Sequence, residues 1–254
     1  MEIEIHAQQI LFGNRLSVSF QRTRQRLQQD SPHFLPKSLG AVPIHRVKHY
    51  RDRVPHEWED DAVFLGIWPE EALWLGFAGA DWKPNALKVA LEEIDAVTGT
   101  GWREGLHGDP QDYIVCPPQG ALDGVYLGDH LVKQFVVKNR DGGTFDSQAC
   151  PDLRVVAYDP KMNRFPEHAP PKDRRPNVLH LQRTRSGSSV SLVSGAPLTQ
   201  AILPDPHGID TWDQTQSASV MVYLVGEQCY AKTTGRELSR PPGDAQGYTG
   251  YRLP

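Results

Sequence analysis

In residues 11–22 (LFGNRLSVSFQR), Leu16, Val18 and Phe20 alternate with Ser17, Ser19 and Gln21. That period of two predicts a strand with one buried face. Gly13 and Asn14 supply a turn before it. Pro32, Pro36 and Pro43 keep the following connection to residues 42–47 extended. Residues 61–64 and 72–77 read as two strands around Trp68, Pro69, Glu70 and Glu71. Residues 87–97 (LKVALEEIDAV) mix strand and helix spacings; the turn-forming TGTG at 98–101 favours a strand bent near Glu92. Further short strands are expected at 113–116, 124–127, 131–137, 153–158, 178–182, 190–193 and 198–203. Residues 219–225 (SVMVYLV) form the most apolar run and predict a central strand, and residues 226–234 a short helix ending at Gly235.

About a dozen short strands at intervals of roughly ten residues, without alternating helices of 10–15 residues, predict a mainly β protein. The expected architecture is β-sandwich-like, with long Pro/Gly-rich loops and at most one or two short helices. Residues 1–159 form the main β domain, and residues 160–176, with five prolines, an exposed loop. The C-terminal strands in 177–254 complete the same unit.

Composition supports this reading: 22 Gly and 21 Pro among 254 residues suit many tight turns. The net charge of −4 conceals an uneven distribution. Residues 15–53 hold nine Lys/Arg against two Asp/Glu, residues 57–71 hold six acids and no base, and residues 161–185 are basic again. Basic stretches can attract nucleic acid, or they can neutralise the acidic stretch beside them. The aromatics Phe20, Phe34 and Tyr50 are too scattered for a base-stacking platform. Cys116, Cys150 and Cys229 are widely spaced and odd in number, which argues against a disulfide framework. With no apolar run of membrane-spanning length and no signal-like start, a cytoplasmic location is expected and a membrane partner is not.

Candidate chemistry concentrates in residues 110–137. If the strands at 113–116 and 124–137 are neighbours, Gln111, Asp112, Tyr113, Gln119, Asp123 and Gln134 gather at strand ends beside the stiff Pro117 and Pro118. Such amides and carboxylates can hold a hydroxyl-rich ligand or tie loop backbone. Asp112 with Asp123 is the one carboxylate pair offering a glycosidase-like arrangement, since adjacent Glu70 and Glu71 would point to opposite faces of a strand. Asp205, His207, Asp210 and Asp213 form an oxygen-rich loop that falls short of a calcium ligand set and suits turn capping better. His45, His49 and His56 lack zinc spacing, and there is no HExxH, CxxC, GxSxG or phosphate-binding loop. No cofactor is expected.

The blocks LWLGF (73–77), LKVALEEIDAVTG (87–99), PQDYIVCPPQ (110–119), LDG (122–124) and KQFVV (133–137) are similar to successive blocks of an uncharacterised family of bacterial and fungal hypothetical proteins. FGNRLSVSFQRT (12–23) and PDPHGIDTWD (204–213) resemble blocks of its longer bacterial members. The resemblance implies no particular activity. This chain departs from the pattern at Ala121, where an aromatic residue is usual, and at KNRDGGTFD (138–146), where a Gly-rich segment is usual.

These observations favour a non-enzymatic binding or assembly protein. Strand edges and Pro-rich loops would supply contacts, with Trp58, Trp68, Trp74, Trp82, Trp102 and Trp212 available as anchors. A protein partner or self-assembly is expected before a small molecule. The alternatives are a carbohydrate-active hydrolase using Asp112 and Asp123, and nucleic-acid binding through the basic segments.

Overall fold

The computed structural model describes residues 1–25, 38–69, 71–129, 131–136, 151–170 and 198–240. The strands expected at 178–182 and 190–193, and Cys150, lie outside the described residues. The first half of the chain gives β1 (Ile3–Ile5), β2 (Ile10–Phe12), β3 (Leu16–Arg24), β4 (Ile44–Arg46), β5 (Val63–Gly66), β6 (Glu71–Ala78), β7 (Asn85–Leu91) and β8 (Ile94–Asp95). The second gives β9 (Ile114–Cys116), β10 (Ala121–Leu122), β11 (Gly124–Gly128), β12 (Leu131–Val136), β13 (Asp152–Pro160), β14 (Leu198–Thr199), β15 (Trp212–Val225) and α1 (Glu227–Thr234). A 3-10 stretch over Val47–Arg53 and a single 3-10 turn over Ile209–Thr211 complete the described elements.

The strands form two sheets. The first runs β1-β2-β3-β6-β12-β11, with β10 on β6 and β14 on β12; the second runs β4-β5-β15-β13-β7-β8, with β9 on β7. The mainly β, sandwich-like expectation therefore holds. Strand alternation sets the core between the sheets: Leu16, Val18 and Phe20 of β3 and Leu73, Leu75 and Phe77 of β6 meet Leu87 and Val89 of β7, Leu153, Val155 and Ala157 of β13, and Val222 and Leu224 of β15.

The second sheet is buried on its outer face too. Residues 101–113 and 205–212 cover Ala86, Val115, Val156 and Tyr158 with Leu106, Tyr113 and Trp212. Val47, Val54, Tyr230 and Leu238 cover Phe64, Tyr223 and Val225 further along. The central strand β15 thus reads as a continuous apolar run at its end, as a strand buried on both faces should.

Local expectations hold in detail at two turns. Glu92 takes a φ of 54° where β7 turns into β8, the bend expected there. Gly235 ends α1 with a φ of 70° and donates its N–H to the Ala231 carbonyl. Three expectations need correction. The strands at 113–116 and 124–137 are not neighbours: β9 pairs with β7 in the second sheet, whereas β11 and β12 belong to the first. The chain crosses between sheets through Pro117 to Gly120, where Gly120 accepts a hydrogen bond from Phe77 N–H. The strand expected at 198–203 is only the two-residue β14, because residues 200–203 are held by side-chain amides rather than a ladder. Finally, β15 begins at Trp212, and residues 213–216 bulge opposite the single residue Asp159.

Beyond the end of β13, residues 161–170 are mostly exposed. Among the described residues, no helix is long and apolar enough to cross a membrane. Cys116 and Cys229 are free thiols.

Candidate functional site

The polar residues of the central blocks separate into three groups. Gln111 and Gln119 bind the extended segment 200–205. Gln111 donates from Nε2 to the Tyr113 carbonyl (2.7 Å) and accepts at Oε1 from Asp205 N–H (2.8 Å). Gln119 donates to the Ala121 carbonyl (3.0 Å) and accepts from Leu203 N–H (3.0 Å). Gln200 answers from the other side, accepting from Asp123 N–H (2.8 Å) and donating to the Ala121 carbonyl (3.2 Å). Segment 200–205 is therefore a strap fastened by three amides across the crossing between the sheets.

Tyr113 belongs to the same fastening. Its hydroxyl donates to Asp205 Oδ2 (2.7 Å), which also accepts from Trp212 Nε1 (2.8 Å), while Asp205 Oδ1 accepts from His207 N–H (2.8 Å). Burial and the Asp205 carboxylate both push the Tyr113 phenol upward, so it stays protonated and donating. Asp213 Oδ1 accepts from Thr215 N–H and Oγ1. These carboxylates cap turns, and among the described residues no three His, Cys, Asp or Glu side chains converge as metal ligands.

Asp112 serves a different purpose. It is 1% exposed, and its Oδ2 lies 2.7 Å from Lys88 Nζ and 2.8 Å from His107 Nδ1 while Oδ1 accepts from His107 N–H. Lys88 is fully buried on the outer face of β7 and directs its other donors at the Arg103 and Gly105 carbonyls. Its ammonium lies 4.6 Å from the centroid of Trp102, whose ring also meets Arg154 at 5.2 Å. The pair staples residues 101–113 to the sheet.

Asp123 and Gln134 are buried in the first sheet, away from Asp112. Gly124 sits opposite Gln134, and a Cβ at Gly124 would overlap the Lys133 carbonyl oxygen, which explains the glycine of LDG as a close approach of β11 to β12. The six polar residues of the central blocks therefore do not line one site: Gln111, Tyr113 and Gln119 hold the strap, Asp112 holds Lys88, and Asp123 and Gln134 sit in the sheet.

A second constellation carries no sequence motif and escapes a reading by spacing. Arg22 and Glu71 occupy inward positions of β3 and β6, in phase with Leu16, Val18 and Phe20 and with Leu73, Leu75 and Phe77. Arg22 Nε is 3.2 Å from Glu71 Oε2, the side chains being 4% and 0% exposed. Arg22 also donates from Nη1 to the Ser239 carbonyl (2.7 Å), and Trp68 N–H donates to Glu71 Oε2 (3.1 Å). Arg240 lies over the Trp68 ring at 4.7 Å. Two groups of donors remain unused in this cluster: Arg22 Nε and Nη2 form no hydrogen bond of good geometry, nor does the buried Trp68 Nε1. Strand phase is the signal that could have found it, because a charge at a core position of a strictly alternating strand must be paired or used.

Beside it, His45 Nε2 is 2.9 Å from the Tyr230 hydroxyl and Nδ1 is 3.4 Å from the Tyr50 hydroxyl, and the ring stacks on Phe64. Burial, with the Arg236 charge adding to it, holds the imidazole below its ordinary pKa, so it is neutral at pH 7. Gly66 is needed here, since a side chain would collide with Tyr230 and Leu238.

The fold and these clusters define a two-sheet β-sandwich with a strapped crossing and a buried Arg–Glu pair at one end. No family model, curated protein or solved structure matches the chain.

Proposed function

We propose that this protein is a non-enzymatic binding protein and that its recognition site is the end of the sandwich where Arg22, Glu71, Trp68 and Arg240 meet. The observation that carries the reading is the buried guanidinium of Arg22 with hydrogen-bonding capacity left over. Leaving such donors unmet costs about 1–3 kcal/mol each, a cost that a bound partner offsets. Among the described residues, three groups that could do chemistry are occupied: Asp112 by Lys88 and His107, Asp205 by Tyr113 and Trp212, His45 by two tyrosines. The carboxylate pair Asp112 and Asp123 finds no support in this geometry, because Asp112 is consumed in an ion pair.

The basic segment 15–53 gives little to a nucleic-acid reading. Arg15 pairs with Asp159, Arg22 with Glu71 and Arg51 with Asp60, while Arg46 and Arg53 donate to backbone carbonyls. Of the tryptophans, Trp58 and Trp212 are core residues, Trp102 lies against Lys88 and Arg154, and Trp68 is the one whose N–H shares Glu71 with Arg22.

The test is a photo-crosslinking residue placed at position 240 and, as a control at the opposite end of β15, at position 162, in cells that express the protein natively. A discrete adduct from position 240 that disappears in a Trp68→Ala background is expected. Equal adducts from both positions, or adducts indifferent to Trp68, would refute the assignment.

A further inference from the structure

We propose that His107 is a modification site, an imidazole that accepts a phosphoryl group at Nε2 with the exposed guanidinium of Arg103 assisting. The inference goes beyond the recognition reading and does not depend on it, since it concerns residues 101–113, which cover the second sheet.

Asp112 grips His107 twice: Oδ1 accepts the backbone N–H (2.8 Å), and Oδ2 lies 2.8 Å from Nδ1. The backbone closes the same turn, with Asp112 N–H donating to the His107 carbonyl (3.1 Å) and Gly108 bridged to Gln111. Lys88, fully buried, fixes Asp112 in turn, its Nζ lying 2.7 Å from Oδ2. A carboxylate only accepts, so the ring proton sits on Nδ1 and the lone pair on Nε2. These bonds account for how the turn is held, and none of them uses Nε2. Among the described residues no group bonds Nε2, and the side chain is 35% exposed. A buried carboxylate that fixes the tautomer of a ring whose other nitrogen is bare is the arrangement of a nucleophilic imidazole. His49 and His56 are exposed as well, but among the described residues no carboxylate orients their rings.

Arg103 decides the class of electrophile. Its Nη2 lies 3.6 Å from the Asp112 oxygen that binds Nδ1, too far for a hydrogen bond, and its side chain is 46% exposed. Among the described residues its guanidinium donates no hydrogen bond, so its fork is open to phosphoryl oxygens, which arginine binds through paired donors. Glu104, its neighbour in sequence, is taken by Trp102 Nε1 (2.8 Å) and Arg154 (3.4 Å). In the transfer, the Nε2 lone pair forms a bond to phosphorus while the bond from phosphorus to the leaving group breaks, and the leaving group departs with that electron pair. The ring becomes an imidazolium, its proton still on Nδ1 and its charge facing Asp112. The donor is a small molecule with an activated phosphoryl group; with phosphoramidate the leaving group is ammonia.

The experiment treats the full-length protein with potassium phosphoramidate at neutral pH. Peptide mass spectrometry without acid follows each histidine over time, and 31P NMR distinguishes the Nε2 from the Nδ1 adduct. His107 should be phosphorylated on Nε2 about tenfold faster than His49 or His56, the internal references. Asp112→Asn can donate to Nδ1 and move the ring proton to Nε2, so the positioning residue lost, His107 should fall to the rate of the references while those stay unchanged. Arg103→Gln, at an exposed position, should slow His107 by about threefold, again with unchanged references, and decides the matter if Asp112→Asn does not fold. A His107 rate equal to the references, an adduct on Nδ1, or a rate indifferent to Arg103→Gln would overturn the proposal.

Discussion

Replacing Lys88 by Met tests whether the outer layer of the second sheet depends on a single buried charge. The ammonium is fully buried and has three oxygen acceptors, the Asp112 carboxylate and the Arg103 and Gly105 carbonyls. Methionine keeps most of the volume and the contact with Trp102 but satisfies none of the three. Breaking a buried ion pair by removing one partner costs about 3–5 kcal/mol. The lower half of that range applies, because His107 Nδ1 at 2.8 Å and Arg103 at 3.6 Å still face Asp112, and Arg103 lies at the surface where water reaches the loop. A loss of about 3–4 kcal/mol is therefore expected, or a fall in Tm of roughly 10 °C for a chain of this size. Urea denaturation at pH 7.5 measures it. A cycle with Asp112→Asn should show that the two substitutions together cost less than their sum by about 2 kcal/mol, since each removes the partner the other leaves stranded. A loss below about 1 kcal/mol for Lys88→Met would refute the reasoning and place the strength of residues 101–113 in Leu106, Tyr113 and Trp212 instead.

Particular contacts set three further outcomes. Because burial and Arg236 lower the pKa of His45 in the folded state, the unfolded chain binds its proton first as pH falls, so folding loses stability from about pH 6.5 downward. The Tm gap between wild type and His45→Gln should therefore close as pH drops from 8 to 5 in thermal melts, and a constant gap would contradict the sign. Gly124→Ala should destabilise by at least about 2 kcal/mol in chemical denaturation, because β11 would have to leave β12 to admit a methyl group against the Lys133 carbonyl; an unchanged midpoint would show that the strands yield. Burial pushes the Cys116 thiol up to about 12, whereas Cys229 is only half-buried. Alkylation at pH 8 with subsequent peptide mapping should label Cys229 in the native protein and Cys116 only in denaturant; native labelling of Cys116 would show that β9 opens.

The sequence exposes features encoded within a few residues and hides those encoded between distant ones. Alternation in residues 16–20 announces β3 and its buried face, and the turn chemistry at Glu92 and Gly235 announces their backbone conformations, because each depends on local sterics. The pairing of β9 with β7 cannot be read the same way: residues 113–116 look equally suited to either sheet, and the glutamines that flank them, Gln111 and Gln119, find their partners 94 and 84 residues later in the chain. Lys88 is opaque for the same reason. It lies on the outward phase of β7, where a lysine normally reaches water, and only the covering residues 101–113 turn it into a buried ion. Arg22 and Glu71 differ, since both stand in the inward phase of strands that the alternation itself marks. A charge that breaks alternation at a core position has no local justification, and in this fold two such breaks meet each other across β3 and β6. That meeting is what makes each break tolerable, since neither charge could be buried without the other to neutralise it.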